Sequence, residues 1–195
     1  MIETLVIASH NKGKLKEFET LLKGLVGEVK SAGDLGLIEP EETGTTFLEN
    51  ATMKAVTAMK ACGLPCLSDD SGLSVSALNG EPGVYSADWA GEPRDFKRAM
   101  TLVHDKMGDA ADRGAYFTSV LVLAYPDGRI ESFEGRVDGQ ICWPPRGVEG
   151  FGYDPMFVPD GYDKSFGEMS ADEKHAISHR ARAVDKFIQY LKKGE

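Results

Sequence analysis

The stretch at residues 67–73, LSDDSGL, constrains this chain more than any other. It follows an apolar run that begins at Leu64 and precedes the alternating positions Leu73, Val75 and Ala77, so Asp69 and Asp70 are expected where one strand ends and another begins. Strands disfavour aspartate, and two like charges side by side raise each other's cost of ionisation; a fold that keeps both is expected to give at least one of them a cation. Neighbouring side chains on a strand point to opposite faces, so both acids enter one site only if the backbone turns, and Gly72 permits that turn.

The rest of the sequence sets the frame. A chain of 195 residues, 42% apolar, buries about 70% of its extended surface, enough for one core and a single domain over 1–195. No uncharged apolar stretch approaches the ~20 residues of a spanning helix, and the opening MIETLVIASHNKGK lacks a secretory signal's basic start and long apolar centre. A cytoplasmic protein that does not enter the membrane is expected. Cys62, Cys66 and Cys142 form no CxxC pair and leave one thiol over in any disulfide scheme, which favours reduced, mostly buried thiols. The net charge of −9 argues against a nucleic acid polymer as partner, because polyanion binding needs clustered Lys and Arg. A small phosphate ligand stays compatible with it, given local cations and a divalent metal.

Along the chain, Leu5 to Ala8 reads as a buried strand, and Leu15, Phe18, Leu21, Leu22 and Leu25 keep the spacing of an amphipathic helix. Between them lies SHNKGK, residues 9–14. Strand, loop and helix N-terminus in that order point backbone N–H groups at an anion, but the loop is not a Walker A sequence; it fits phosphate binding and also an ordinary connection with solvated lysines. Residues 33–45 are acidic and broken by Gly and Pro, with Glu39, Glu41 and Glu42 close together, either a solvated loop or a metal-ligand loop. Thr46 and Glu49 make a capping box for a helix whose stripe is Phe47, Ala51, Ala58 and Cys62. Asn50 and Lys54 share one side of it, solvated or lining a cleft.

Pro93 is placed to start a helix through Phe96, Met100 and Val103, and the runs 116–125 and 130–137 around Pro126, Asp127 and Gly128 make a hairpin. Residues 143–169, rich in Gly, Pro and aromatics, read as an ordered loop of the kind that usually carries function. Phe151 and Tyr153 flank Gly152, so a flat ring fits beside them. Ser170 and Glu173 make a second capping box, for a helix running to the C-terminus along Ile177, Ala181, Val184, Ile188 and Leu191. Lys174, His175, His179 and Arg180 near its start suggest an anionic or carbonyl-bearing partner; without an HExxH pattern, the two histidines are not read as a zinc pair.

In order, SHNKGK, EETGTTFLENATMKA, LSDDSGL, GEPGVYSA, EGFGYDPMF and EKHAISHRARA resemble the inosine/xanthosine triphosphate pyrophosphatase family over nearly the whole chain. The resemblance implies an α/β fold, an elongated mixed β-sheet with flanking helices in two lobes around a central cleft. It implies hydrolysis of non-canonical purine nucleoside triphosphates (ITP, dITP, XTP) to the monophosphate and pyrophosphate, with Mg2+, in a homodimer. Residue by residue, it makes Ser9, His10, Asn11, Lys12, Gly13 and Lys14 the triphosphate loop and gives Lys54 a phosphate. Asp70 and Glu42, with Glu41, would hold the metal, and Asp70 would also take the proton of the attacking water. Ser71 would touch substrate; Phe151, Gly152, Tyr153 and Asp154 would stack on and frame the purine; Lys174, His179 and Arg180 would meet its oxygen-bearing edge. Asp88 stands where members often carry Arg, and Ala181 where Gly is common. The alternatives are a pyrophosphatase for another modified nucleotide and a non-catalytic nucleotide-binding regulator.

Overall fold

The computed structural model of the chain describes residues 2–10, 15, 18, 19 and 21–193. Its strands are β1 (Thr4–Ile7), β2 (Glu28–Ser31), β3 (Cys66–Val75), β4 (Gly114–Ala124), β5 (Ile130–Ile141) and β6 (Phe157–Pro159). They form one mixed sheet in the order β2-β1-β3-β4-β5-β6, with β1 parallel to β2 and β3, and β5 antiparallel to β6. Besides the helical residues 15, 18, 19 and 21, the α-helices among the described residues are α1 (Phe47–Cys62), α2 (Phe96–Met107), α3 (Ala171–His175) and α4 (His179–Lys193). No helix among the described residues is long and apolar enough to cross a membrane. The chain divides into two compact units: Met1–Asp70, Val120–Glu134 and Ala183–Glu195 make the first, Ser71–Ser119 and Gly135–Arg182 the second.

In the first unit both faces of the sheet are covered, which is why its strands read as continuous apolar runs. Period-two alternation sends Leu5, Ile7, Leu121 and Leu123 to one face, where they pack with Phe18, Leu22, Val184 and Phe187. Val120, Val122 and Ala124 take the other face, against Ala51 and Ala55 of α1, while Val6, Ala8 and Cys66 pack on Ala58. Small residues along α1 let its backbone approach the strands closely. Its start is fixed by the expected capping box: Thr46 Oγ1 accepts the Glu49 N–H at 3.1 Å, and the Glu49 carboxylate accepts the Thr46 N–H at 3.2 Å.

The second unit builds its core from Leu73, Val75, Phe117, Val137 and Ile141 on the strands and Ala99, Met100, Val103 and Met107 on α2, closed by Met156, Phe157 and Phe166. The hairpin of β4 and β5 stands where the sequence placed it.

Four expectations are corrected. β3 is one continuous ten-residue strand with no turn at Gly72; Asp69 and Asp70 lie in its middle and are buried. The N-terminal helix does not reach Leu25: residues 15, 18, 19 and 21 are helical, Leu22 closes the last turn onto Phe18, and Gly24 at φ 80° reverses the chain. Asp95, not Pro93, begins α2, its carboxylate accepting the N–H groups of Lys97 and Arg98. The C-terminal helix is two helices, because the chain leaves helical form at 176–178 and Ser178 caps a new start, its Oγ accepting the Ala181 N–H at 3.2 Å.

Phe187 is fully buried at the centre of the first unit's larger cluster. Phe187→Ala is expected to lower unfolding free energy by about 3–5 kcal/mol in chemical denaturation. A loss under about 1 kcal/mol would mean that α4 does not pack there as described.

Candidate active site

In the first unit the site is built around Lys54. The position sits two turns into α1, is only 5% exposed, and places an ammonium where burial alone would neutralise it. Three oxygens meet its Nζ: Glu42 Oε1 at 2.6 Å, the Asp69 carbonyl at 3.0 Å and Asp70 Oδ1 at 3.2 Å. Burial disfavours the charge on Lys54, but the carboxylates of Asp70 and Glu42 outweigh it, and the lysine's affinity for its proton is raised. At Asp70 the balance falls the other way. Burial pushes its carboxyl up to about 6, against the pull of Lys54 and with added repulsion from Glu42 and Asp69.

The second oxygen of that carboxyl, Asp70 Oδ2, is buried without a hydrogen-bond partner. A buried carboxylate oxygen in that condition is costly and awaits a donor or a cation. Glu42 reaches Lys54 because the loop before α1 is clamped: the buried Asn50 accepts the Gly44 N–H on its Oδ1 at 2.8 Å, one turn before Lys54. A side chain at Gly44 would place its Cβ 2.6 Å from that Oδ1, so only glycine permits the clamp. The sequence pattern fits both solvated and cleft-lining positions for Asn50 and Lys54; both are buried, and nothing in the pattern marks the clamp. Glu41 is exposed. His10 donates from Nε2 to the Leu37 carbonyl at 2.9 Å and sets Nδ1 3.4 Å from Glu39, tying the start of the 9–14 loop to the acidic loop; Ser9 is half-buried. Asn11, Lys12, Gly13 and Lys14 lie outside the described residues.

The second unit holds a separate cluster around Phe151 to Asp154. Asp154 is buried, and its Oδ2 accepts both the Phe151 N–H at 2.8 Å and the Nζ of Lys174. Gly150 has φ 73°, and a Cβ there would lie 2.1 Å from Asp154 Oδ2. Folded this tightly, the turn throws the Phe151 ring outward, 61% exposed, with Lys174 Nζ 4.9 Å and the Arg180 guanidinium 5.8 Å from its centre. Arg180 also donates from Nη2 to Ser71 Oγ at 3.1 Å. Gly152 takes φ 66° and sends Tyr153 inward, where its hydroxyl donates to the Ser86 carbonyl at 2.7 Å and its ring meets Phe96 edge-on at 5.5 Å. His179 is buried and stacked on Phe117 at 4.9 Å. The arrangement offers a flat ligand one open aromatic face and two cationic donors.

The model of the Ham1 family matches residues 5–190. Relatives named "dITP/XTP pyrophosphatase" from Agrobacterium fabrum and Rhizobium meliloti are 55% and 54% identical to the chain, covering 95% and 96% of it and 94% and 95% of themselves. The solved structure of the Staphylococcus aureus Ham1 protein superposes with a TM-score of 0.93 at 37% identity, covering 99% of this chain and 100% of that one. A structure of a nucleoside-triphosphatase / dITP/XTP pyrophosphatase from Mycobacterium abscessus gives a TM-score of 0.80 at 41% identity, over 94% and 98% of the two chains.

The raised Asp70 carboxyl has a measurable consequence in metal-free protein. Its folded value of about 6 lies above its ordinary 3.8, so the folded state holds the extra proton more tightly, and that contribution to stability is lost as pH rises from about 4 to about 6. Relative to Asp70→Asn, wild-type stability in a chelator is expected to decline across this window by up to about 3 kcal/mol, measured as paired denaturation curves. A difference that stays flat from pH 4 to 7 would contradict the burial cost assigned to Asp70.

Proposed function

The chain belongs to the Ham1 family, and we propose that it is a pyrophosphatase that cleaves non-canonical purine nucleoside triphosphates, ITP, dITP and XTP, to the monophosphate and pyrophosphate. The observation that carries this reading is the buried Lys54, held by Glu42 and Asp70, beside a carboxylate oxygen with no partner.

In the proposed reaction, the oxygen of a water bonds to the α-phosphorus while the bridge from that phosphorus to the β-phosphate oxygen breaks. Asp70 takes the water's proton on its unpartnered Oδ2. Lys54 keeps Oδ1 occupied, so the carboxylate cannot rotate away, and its charge offsets part of the negative charge that gathers on the phosphates. Ser9, His10 and the 11–14 segment are the proposed phosphate loop.

Among the described residues no group of three or more His, Cys, Asp or Glu side chains is gathered into a metal centre. Two carboxylates are what magnesium asks of a protein when phosphates and waters complete its shell, and Asp70 and Glu42, which converge on Lys54, fit that demand. When bound, Mg2+ supplies charge neutralisation and polarisation at the phosphates.

The base would stack on Phe151, with Lys174 and Arg180 donating to its 6-oxo group. An adenine would set an amino group against those donors, at a cost of about 1–3 kcal/mol for each one left unpaired. Tyr153 and Asp154 act behind this surface, Asp154 by holding Lys174 and the Phe151 N–H. His179, stacked on Phe117, sets the start of α4 from which Arg180 projects. A homodimer in the cytoplasm, where nucleotide pools are cleansed, completes the proposal.

Asp70→Asn is expected to cut pyrophosphate release from ITP by at least about 100-fold while circular dichroism stays native. Wild-type turnover in that variant would refute the role of Asp70. Arg180→Ala is expected to change the ratio of ITP to ATP turnover by about 10-fold and to leave the magnesium requirement in place. An unchanged ratio across ITP, XTP, GTP and ATP, assayed side by side, would take Arg180 out of base selection.

A further inference from the structure

We propose that Cys62 and Cys66 form a redox-responsive dithiol site, which hydroperoxides convert to a disulfide that ties the end of α1 to the start of β3 and slows turnover. Cys62 is the last residue of α1 and Cys66 the first of β3. Gly63, at φ 69°, reverses the chain after the helix, and the Gly63, Leu64, Pro65 connection returns it so that the two Sγ atoms stand 3.5 Å apart. Both sulfurs also face the Leu64 carbonyl, Cys66 at 3.4 Å and Cys62 at 4.0 Å, which holds them on the same side of the turn. A disulfide needs the sulfurs at about 2.05 Å, so closure asks for a movement of about 1.5 Å by two side chains that already touch.

The two thiols differ in the way a reactive pair requires. Cys62 is half-buried and reachable; Cys66 is fully buried among Val6, Ala8 and Ala58. Burial, with the Cys62 hydrogen bond and charge in support, pushes the Cys66 thiol up, so the reachable Cys62 and not Cys66 is the sulfur that meets the peroxide. The steps balance. The Cys62 thiolate attacks one peroxide oxygen, the O–O bond breaks, Cys62 becomes a sulfenic acid, and the departing oxygen leaves as water with the proton the thiol gave up. Cys66 sulfur then attacks the Cys62 sulfur, the S–O bond breaks, and the hydroxide released takes the Cys66 proton to leave as a second water. In sum, two thiols and one hydroperoxide give a disulfide and two molecules of water, or water and an alcohol from an organic peroxide.

The tether joins the two elements that carry the catalytic groups. Lys54 lies eight residues before Cys62 on α1, and Asp69 and Asp70 lie three and four residues after Cys66 on β3. Lys54 Nζ meets Asp70 Oδ1 at 3.2 Å and the Asp69 carbonyl at 3.0 Å, contacts that a shift of a few tenths of an ångström between helix and strand disturbs. The effect on turnover rests on the pyrophosphatase reading; the bridge itself does not.

The test treats full-length protein with hydrogen peroxide and reads intact mass, peptide maps and pyrophosphate release from ITP before and after a thiol reductant. The expected result is a loss of two hydrogens per chain, a single bridged peptide joining Cys62 to Cys66, and a several-fold fall in turnover that the reductant restores; Cys142→Ser behaves the same way, and Cys66→Ser or Cys62→Ser shows neither change. The second single variant covers the case in which Cys66→Ser, deep in the core, fails to fold. Cys62 accumulating as sulfinic acid with no bridge, or a bridged protein with full turnover, overturns the proposal. If reduced protein releases no pyrophosphate from any nucleotide, the pyrophosphatase reading is what fails, and the mass and peptide map alone decide the bridge.

Discussion

A lysine ammonium taken out of water must be met by oxygens or lose its proton, and the first unit is organised around meeting that demand at Lys54. Its three acceptors come from three places in the chain: Glu42 from the loop before α1, the Asp69 carbonyl and the Asp70 carboxylate from β3. For them to converge, α1 must lie close on the sheet, and Ala51, Ala55 and Ala58 allow it. The loop must also be held, which the Asn50 clamp on Gly44 does. Removing one partner from a buried pair costs about 3–5 kcal/mol because the other charge stays behind. The capping box, the alanine stripe and the glycine are thus coupled to the chemistry through a single ammonium.

The second unit uses a similar pair to a different end. Asp154 and Lys174 also join a buried carboxylate to a lysine, but Asp154 Oδ2 is already shared by Lys174 and the Phe151 N–H. Asp70 keeps one oxygen unpartnered. The contrast separates a strut from a carboxylate with acceptor capacity left over. A carboxylate whose acceptor capacity is spent fixes geometry; one with a buried oxygen to spare stores an unmet demand that a proton, a cation or a water can satisfy. Tyr153 belongs with the struts, since its hydroxyl is committed to Ser86 and its ring to Phe96.

Much of this was legible in the sequence, and the reasons for the rest are physical. Helix α1 was legible because cap chemistry and a 3.6-residue stripe agree over sixteen residues, and the hairpin because a Pro-Asp-Gly turn separates a β-branched and aromatic run from a second extended one. The continuity of β3 was not. Two acids inside a strand contradict propensity, so the pattern argued for a break, whereas tertiary burial with a lysine from another element overrides propensity. The C-terminal helix looked single because Ile177 continues the apolar stripe; α3 stops at His175 and Ser178 caps the next helix, and a serine in a helical pattern does not announce that it will be a cap. Residues 150–154 were legible as an ordered turn, but not which ring faces out. That is settled by positive φ at Gly150 and Gly152, which reverse the side-chain order that alternation alone would assign.

The proposed selection among purines would follow from the same accounting that makes Lys54 expensive. Lys174 and Arg180 near the Phe151 ring are donors only, with no lone pair to offer. A surface made of such groups rewards carbonyl oxygens and penalises amino groups, since an amino group brought against an ammonium or guanidinium leaves both donors unpaired. In the proposed pose, adenine would be disfavoured by the chemistry of the cluster without a steric wall. Guanine shares the 6-oxo group, so its rejection demands a different device, one that penalises the 2-amino group. The donors at Phe151 do not supply that device. If the base sits on Phe151 as proposed, discrimination against ATP and against GTP would have separate physical origins, and a substitution that weakens the donors would relax the first while leaving the second to whatever meets the 2-position.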